Sequence, residues 1–267
     1  MEIHHPVELP GKEIKPWKHY AIEFFMLFLA VTAGFFTENQ RDRILENQKA
    51  KDMAFGLYNE LQENTIQISK LIERKKLLIS EMDSLINTLA GDDMGNNITL
   101  LTYYQASFLM EVDMPVPENA NLDQLINSGR LRYFKSRKLV SDISKWDNII
   151  SFKFRERYDT DQKRLIEEIM AVNRVFNPVL IDSMRSISFE NLFNGRSLST
   201  GTHELFSGTQ EELINDNISD VSEVIGWASE RKRNAIVRST IFLPEQLEFV
   251  KNLMNELDEE FNIKSSD

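Results

Sequence analysis

Close to the N-terminus, Tyr20 to Phe36 reads YAIEFFMLFLAVTAGFF, 17 residues that carry one charge, Glu23. From Phe24 to Phe36 nothing is charged. Apolar side chains gain about 25 cal/mol for each Å2 removed from water, so a run this greasy has to be covered by protein or by lipid. As a helix rising about 1.5 Å per residue it spans roughly 26 Å, slightly less than a hydrocarbon core of about 30 Å. Snorkelling flanks or local thinning of the bilayer close that gap. Trp17 and Tyr20 stand at one end, where interfacial aromatics belong. The other end stops at Thr37-Glu38-Asn39-Gln40-Arg41-Asp42-Arg43.

Two other readings compete. A cleaved secretory signal lacks support, because no A-x-A-like site follows the run and charged helix begins at once. A buried helix of a soluble protein has the right length, but this run has no polar face. We therefore expect a tail over residues 1–19, one transmembrane helix over residues 20–37 and a soluble part over residues 38–267.

Glu23 falls about one turn inside the span. An intramembrane carboxylate is costly and is a functional candidate by default. The plainer expectation is that it reaches the headgroups or pairs with Lys18 or His19. Ala30, Ala33 and Gly34 are small enough to let a partner helix approach closely, although they form no G-x-x-x-G. Orientation is weakly specified: Lys12, Lys15 and Lys18 precede the span, while Arg41, Arg43, Lys49 and Lys51 follow it.

The remainder reads as all-α. Only 7 Pro and 10 Gly occur in 267 residues, fewer turn residues than most β-sandwiches and barrels need. Ile68, Leu71, Ile72, Leu78, Ile79, Met82, Leu85, Ile86 and Leu89 repeat every three or four positions, one face of a helix. Lys75 interrupts that stripe, and Gly56 is a weak candidate for a kink. One or two long helices should run from the membrane to about Ala90, ending in the turn Gly91–Asn97.

Ile98–Val112 predicts a buried core helix. Asn121 and Gln124 have capping-box spacing for a short helix ending at Gly129. A long helix should cover about Ser136–Phe176, with Leu139, Ile143, Trp146, Ile150, Leu165, Ile169, Val172 and Phe176 inward, and stop at Pro178. Residues 185–210, rich in Ser, Gly, Asn and Thr, predict a long surface loop. Pro244 suits the first position of a final helix. Its Leu243, Leu247, Val250, Met254, Leu257 and Phe261 form a packed or coiled-coil face. The expected architecture is one span continuing into a helical stalk and a helical bundle.

The run Lys18-His19-Tyr20-Ala21-Ile22-Glu23, the apolar stretch and Glu38-Asn39 together resemble a family of uncharacterised bacterial single-span membrane proteins. Leu122-Asp123-Gln124-Leu125-Ile126-Asn127-Ser128-Gly129-Arg130-Leu131 is similar to that family's L-x-x-L-x-S-G-x-L element. The likeness covers about residues 15–60 and 118–150. It implies an inner-membrane, single-pass protein with its N-terminus inside and its helical domain on the periplasmic side. It carries no activity.

Chemistry is hard to find. The chain has no cysteine, which excludes disulfides, thiolate-bound zinc, iron–sulfur clusters and thiol nucleophiles. His4 and His5 lie in the tail, His19 at the membrane edge and His203 in a polar segment; none has helical metal-ligand spacing with a carboxylate. No phosphate-binding loop, dinucleotide fingerprint or nucleophile elbow appears. The acid pairs Glu167-Glu168, Glu211-Glu212 and Glu259-Glu260 predict solvated helix faces, since adjacent side chains point about 100° apart. We expect no catalytic residue, no cofactor and no metal.

The net charge is −11, of which residues 38–267 carry −10, so nucleic acid is an improbable partner. Two basic clusters stand against that background. Arg130, Arg132, Lys135, Arg137 and Lys138 are interleaved with Leu131, Tyr133 and Phe134. Arg231, Lys232, Arg233 and Arg238 form the second. Either could meet anionic lipid or a partner protein, or pair within the chain. The expected function is that of a membrane-anchored structural or interaction protein, an accessory or scaffold subunit of an oligomeric membrane assembly. The alternative is a ligand-sensing or signal-transducing protein.

Overall fold

The computed structural model describes residues 17–112 and 116–263. The tail with His4, His5, Lys12 and Lys15, and Met114-Pro115 of the expected break, lie outside the described residues. Among the described residues the protein is all-α, with no strand beyond one antiparallel bridge between Thr99 and Gln210.

Helix α1 covers Trp17–Leu89 as one element, so the expected one or two helices are one. It runs unbroken through Gly56. A Cβ there would lie 2.7 Å from Asn121 Oδ1, so the glycine makes room for the start of helix α4. The chain divides after Lys49 into two compact units. In the first, the apolar side chains of α1 from Phe24 to Phe36 are exposed, with Phe24 at 70% and Phe36 at 66%.

The second unit is a helical bundle. Helices α2 (Met94–Asn97) and α3 (Leu100–Ser107) follow the turn after α1, and α3 runs into a 3-10 turn, Phe108–Met110. These form the buried segment expected at Ile98–Val112. Helix α4 covers Ala120–Asn127. Its N-cap is Asn119, so it begins before the expected Asn121 cap. Asn121 is instead one of two residues whose backbone N–H groups meet Glu60 of α1: Oε2 accepts from Asn121 at 2.6 Å and Oε1 from Leu122 at 3.2 Å. The carboxylate thus satisfies donors that every helix start leaves open. Gly129 ends the element in the left-handed region, φ 66°, as its position suggests.

The long helix expected over 136–176 is present as one right-handed run of helix α5 (Arg137–Asn148), a π turn (Ile149–Phe154) and helix α6 (Arg155–Val175). The wider i→i+5 turn keeps Ile150 and Phe154 both buried. Pro178 does end that run, and with Asn177 as N-cap it starts helix α7 (Pro178–Asn194). Helix α8 covers Thr200–Gly208. The surface loop expected over 185–210 is therefore wrong. Its glycine and serine are caps rather than loop filler: Gly195 takes φ 64° after α7, and Ser199 accepts from the Thr202 N–H at the start of α8.

Helix α9 (Ile218–Val237), a π turn (Arg238–Phe242) and helix α10 (Leu243–Phe261) run on without leaving right-handed helical backbone. Pro244 does sit in the first turn of α10. It does not open a separate helix, because the preceding π turn accommodates its missing N–H and the clash of its ring. The rings of Phe154 and Phe242, one from each π turn, lie 5.2 Å apart. The α10 stripe packs inside the bundle, with Leu243, Val250 and Leu257 buried and Leu247, Met254 and Phe261 against them.

Two apolar cores share α1. Ala50 to Leu71 joins α4, α5 and α10 in one. Leu77 to Leu89 joins α3, the end of α6, α7 and α9 in the other. Lys75 lies on α1 between them.

Candidate functional site

The apolar half of α1 is the first candidate site. Its window has a mean hydropathy of 1.7 and none of it is covered by protein. This is the single helix among the described residues long and apolar enough to cross a membrane. Glu23 meets His19 one turn back, Oε1 to Nε2 at 3.4 Å, the pairing expected of a carboxylate near the interface. Ala30, Ala33 and Gly34 are exposed, and nothing lies within 4 Å of a Cβ built on Gly34.

The first basic cluster surrounds the start of α5. Arg132, Lys135, Arg137 and Lys138 are exposed, and Arg130 is half-buried with Nη1 on Met53 Sδ at 3.5 Å. Lys138 is held inside the chain by Asp142 at 2.9 Å and by Glu256. A hydrogen bond from Lys145, together with Lys138, holds the Asp142 carboxyl below its ordinary value. Arg132 stacks on Tyr133, 4.8 Å from the ring centre. Glu260 caps the turn, accepting from the backbone N–H of Lys135 at 2.5 Å and of Ser136 at 3.0 Å. The side chains of Lys135 and Arg137 make no ion pair among the described residues.

The second basic cluster is largely internal. Arg231 binds Glu168, Lys232 binds Asp83 and Arg238 binds Asp161. Only Arg233 is exposed. The expected solvated pair Glu167-Glu168 is also corrected: Glu167 is exposed, but Glu168 is 4% exposed because Arg231 draws it inward.

Glu168, Arg231, Asp161 and Arg238 meet in a charged seam between the two apolar cores. Lys75, 1% exposed, lines it with Glu111, Asp161, Arg164, Glu168, Arg231 and Arg238. The cavity they enclose measures about 30 Å3, enough to hold water. Arg231 is its hub. Nε lies 3.1 Å from both Glu168 oxygens, and the two Nη atoms donate to the carbonyls of Phe108 at 3.1 Å, Leu109 at 3.0 Å and Glu111 at 2.5 Å. One guanidinium therefore closes the end of the 3-10 turn and ties it to α6. Arg185 reaches Glu111 at 3.2 Å, yet burial pushes the Glu111 carboxyl above its ordinary value.

Periodicity marked Lys75 as a break in a stripe but gave no sign of the charged groups that line the same cavity, which come from distant elements. Asn64 was equally silent. It is fully buried and clamps Glu118, donating to the carbonyl at 2.9 Å and accepting from the N–H at 3.0 Å.

His203 and Glu204 lie exposed on α8. Among the described residues no group of three His, Asp or Glu could hold a metal ion. The seam's arrangement is chemically that of a clamp: cations and carboxylates paired at close range around a water-sized space. No family model, curated protein or solved structure matches the chain.

Proposed function

We propose that the chain is a membrane-anchored interaction protein, an accessory or scaffold subunit of a larger membrane assembly. Residues 20–37 span the bacterial inner membrane once, and the helical body stands on the periplasmic side. The uncovered apolar face of α1 from Phe24 to Phe36 carries this reading. Soluble monomers rarely leave apolar patches beyond a few hundred Å2 uncovered. Ala30, Ala33 and Gly34 then offer a partner helix a close approach, and Glu23 a polar contact at its edge.

The test is native mass measurement after mild detergent extraction from the producing membrane. The proposal expects an oligomer or a co-purifying membrane protein, with Glu23→Leu inserting normally but weakening that complex. A lone monomer refutes the scaffold role. Intact assembly in Glu23→Leu returns Glu23 to a purely interfacial contact with His19.

A second reading, a ligand-sensing or signal-transducing protein, draws on Lys75. The helix that bears the apolar run also bears Lys75, 1% exposed in the lining of the seam, and bistable buried contacts are one way to relay a shift. A small-molecule screen with no ligand-dependent melting shift would remove that reading.

A further inference from the structure

We propose that Arg132, Lys135 and Arg137, with Tyr133 between them, form a surface by which the body docks onto anionic lipid headgroups. The inference rests on the anchoring reading above and adds to it a second contact with the same bilayer.

Charge comes first. From Gln124 to Ser141 the chain holds five cations and no acid, in a protein of net charge −11. Lys138 is consumed by Asp142 and Glu256, and Arg130 lies against Met53. Arg132, Lys135 and Arg137 remain exposed, and Lys135 and Arg137 have no ion pair among the described residues.

The position of Arg137 is also unfavourable within the protein. It occupies the first turn of α5, where the helix dipole is positive and a cation is disfavoured. Glu260 is spent on the backbone N–H groups of Lys135 and Ser136, and the Arg137 side chain stays exposed. An external layer of anions relieves it.

Location comes next. Ser128 and Arg130 both contact Met53, three residues from Ala50, where the second unit begins. The basic surface is therefore built beside the first residues of the second unit. Thr37 and Ala50 are separated by residues 38–49, 12 residues, which reach at most about 43 Å in any conformation. A bilayer that holds residues 20–37 is thus always within reach, at a high effective concentration.

Aromatic character fits as well. Tyr133 is half-buried under the Arg132 guanidinium, an amphipathic pair suited to the headgroup layer. A polyanionic protein would answer the same charges, but it would not be held within reach by the tether. Each cation near an anionic surface contributes about 1 kcal/mol, so three shift the docked-to-undocked ratio roughly a hundredfold.

The absence of cysteine permits single-site labelling. Full-length protein carrying Asn127→Cys, labelled with a donor dye, is reconstituted into vesicles of phosphatidylcholine alone or with 30% phosphatidylglycerol, each doped with a headgroup acceptor. Ser84→Cys, 31 residues beyond Met53 on α1, serves as the reference label. The expected result is higher transfer from position 127 in anionic vesicles than in neutral ones, with the gain lost at 1 M salt. The gain is also lost in Arg132→Gln/Lys135→Gln/Arg137→Gln. It is kept in the charge-matched control Lys153→Gln/Arg155→Gln/Lys163→Gln, and both variants are checked for unchanged helicity and melting. Equal transfer in the two vesicle types, or a gain that survives the triple substitution in a folded protein, overturns the proposal. Failure of the protein to float with either vesicle type instead overturns the anchoring reading.

Discussion

Replacing Arg231 by methionine keeps most of the side chain's length and removes its charge and donors. Glu168, 4% exposed, then loses its guanidinium partner. Three carbonyls, those of Phe108, Leu109 and Glu111, lose their donor at the same time. Removing one partner of a buried pair costs roughly 3–5 kcal/mol, and an orphaned buried carbonyl costs about 1–3 kcal/mol unless water reaches it. The seam cavity of about 30 Å3 touches Glu111 but neither Phe108 nor Leu109, so the broken pair, about 3–5 kcal/mol, sets the lower bound of the loss. In a body of this size 1 kcal/mol moves the melting temperature by about 2–4 °C, which gives a fall of roughly 6–20 °C from the pair alone. Circular dichroism melts and urea titrations of the full chain in detergent measure it. Glu168→Leu/Arg231→Met removes both buried charges and should recover at least about 1 kcal/mol relative to the sum of the single losses. A single variant within about 1 kcal/mol of the parent, or strict additivity in the double, would refute the seam as a coupled charge clamp.

Other substitutions read other parts of the bundle. Glu60→Ala leaves the N–H groups of Asn121 and Leu122 without their carboxylate and should cost about 1–3 kcal/mol in the same melts. Gly195→Ala forces a side chain to φ 64° and should cost about 1–2 kcal/mol, whereas Gly226→Ala, in an open helical position of α9, should gain about 0.5–1 kcal/mol. Glu111→Gln tests the pH dependence. Burial raises this carboxyl in the folded state, so the native chain binds the proton more tightly than the unfolded chain. Its contribution to stability grows as pH falls through that raised value toward the unfolded value of about 4.5. The stability of the parent relative to Glu111→Gln should therefore increase between pH 7 and pH 5; a flat or falling difference contradicts the assignment.

The long helix was legible because Ile68 to Leu89 repeats at the helical period, and the stripes of α5 and α10 were legible for the same reason. Polar composition misled at residues 185–210: Ser188 and Leu192 of α7 are buried on one side while Phe189 and Phe193 stack on the other, so apolar and polar positions do not separate cleanly in sequence. Pro244 was read as a beginning because sequence does not announce a π turn before a proline. The charged seam was invisible for a different reason. Glu168 and Arg231 are far apart in the chain, and ion pairing across such a distance leaves no local pattern. The basic run at 130–138 was visible; that Lys138 is spent on Glu256 of α10 was not.

The account depends most on the anchor. Alkaline carbonate extraction of membranes carrying the full chain should leave it in the pellet. Leu27→Arg/Phe28→Arg, each substitution costing about 2.5–3.5 kcal/mol at a span's centre, should move it to the supernatant. Parent protein released by carbonate, or recovered shortened just after Phe36, would contradict the central claim.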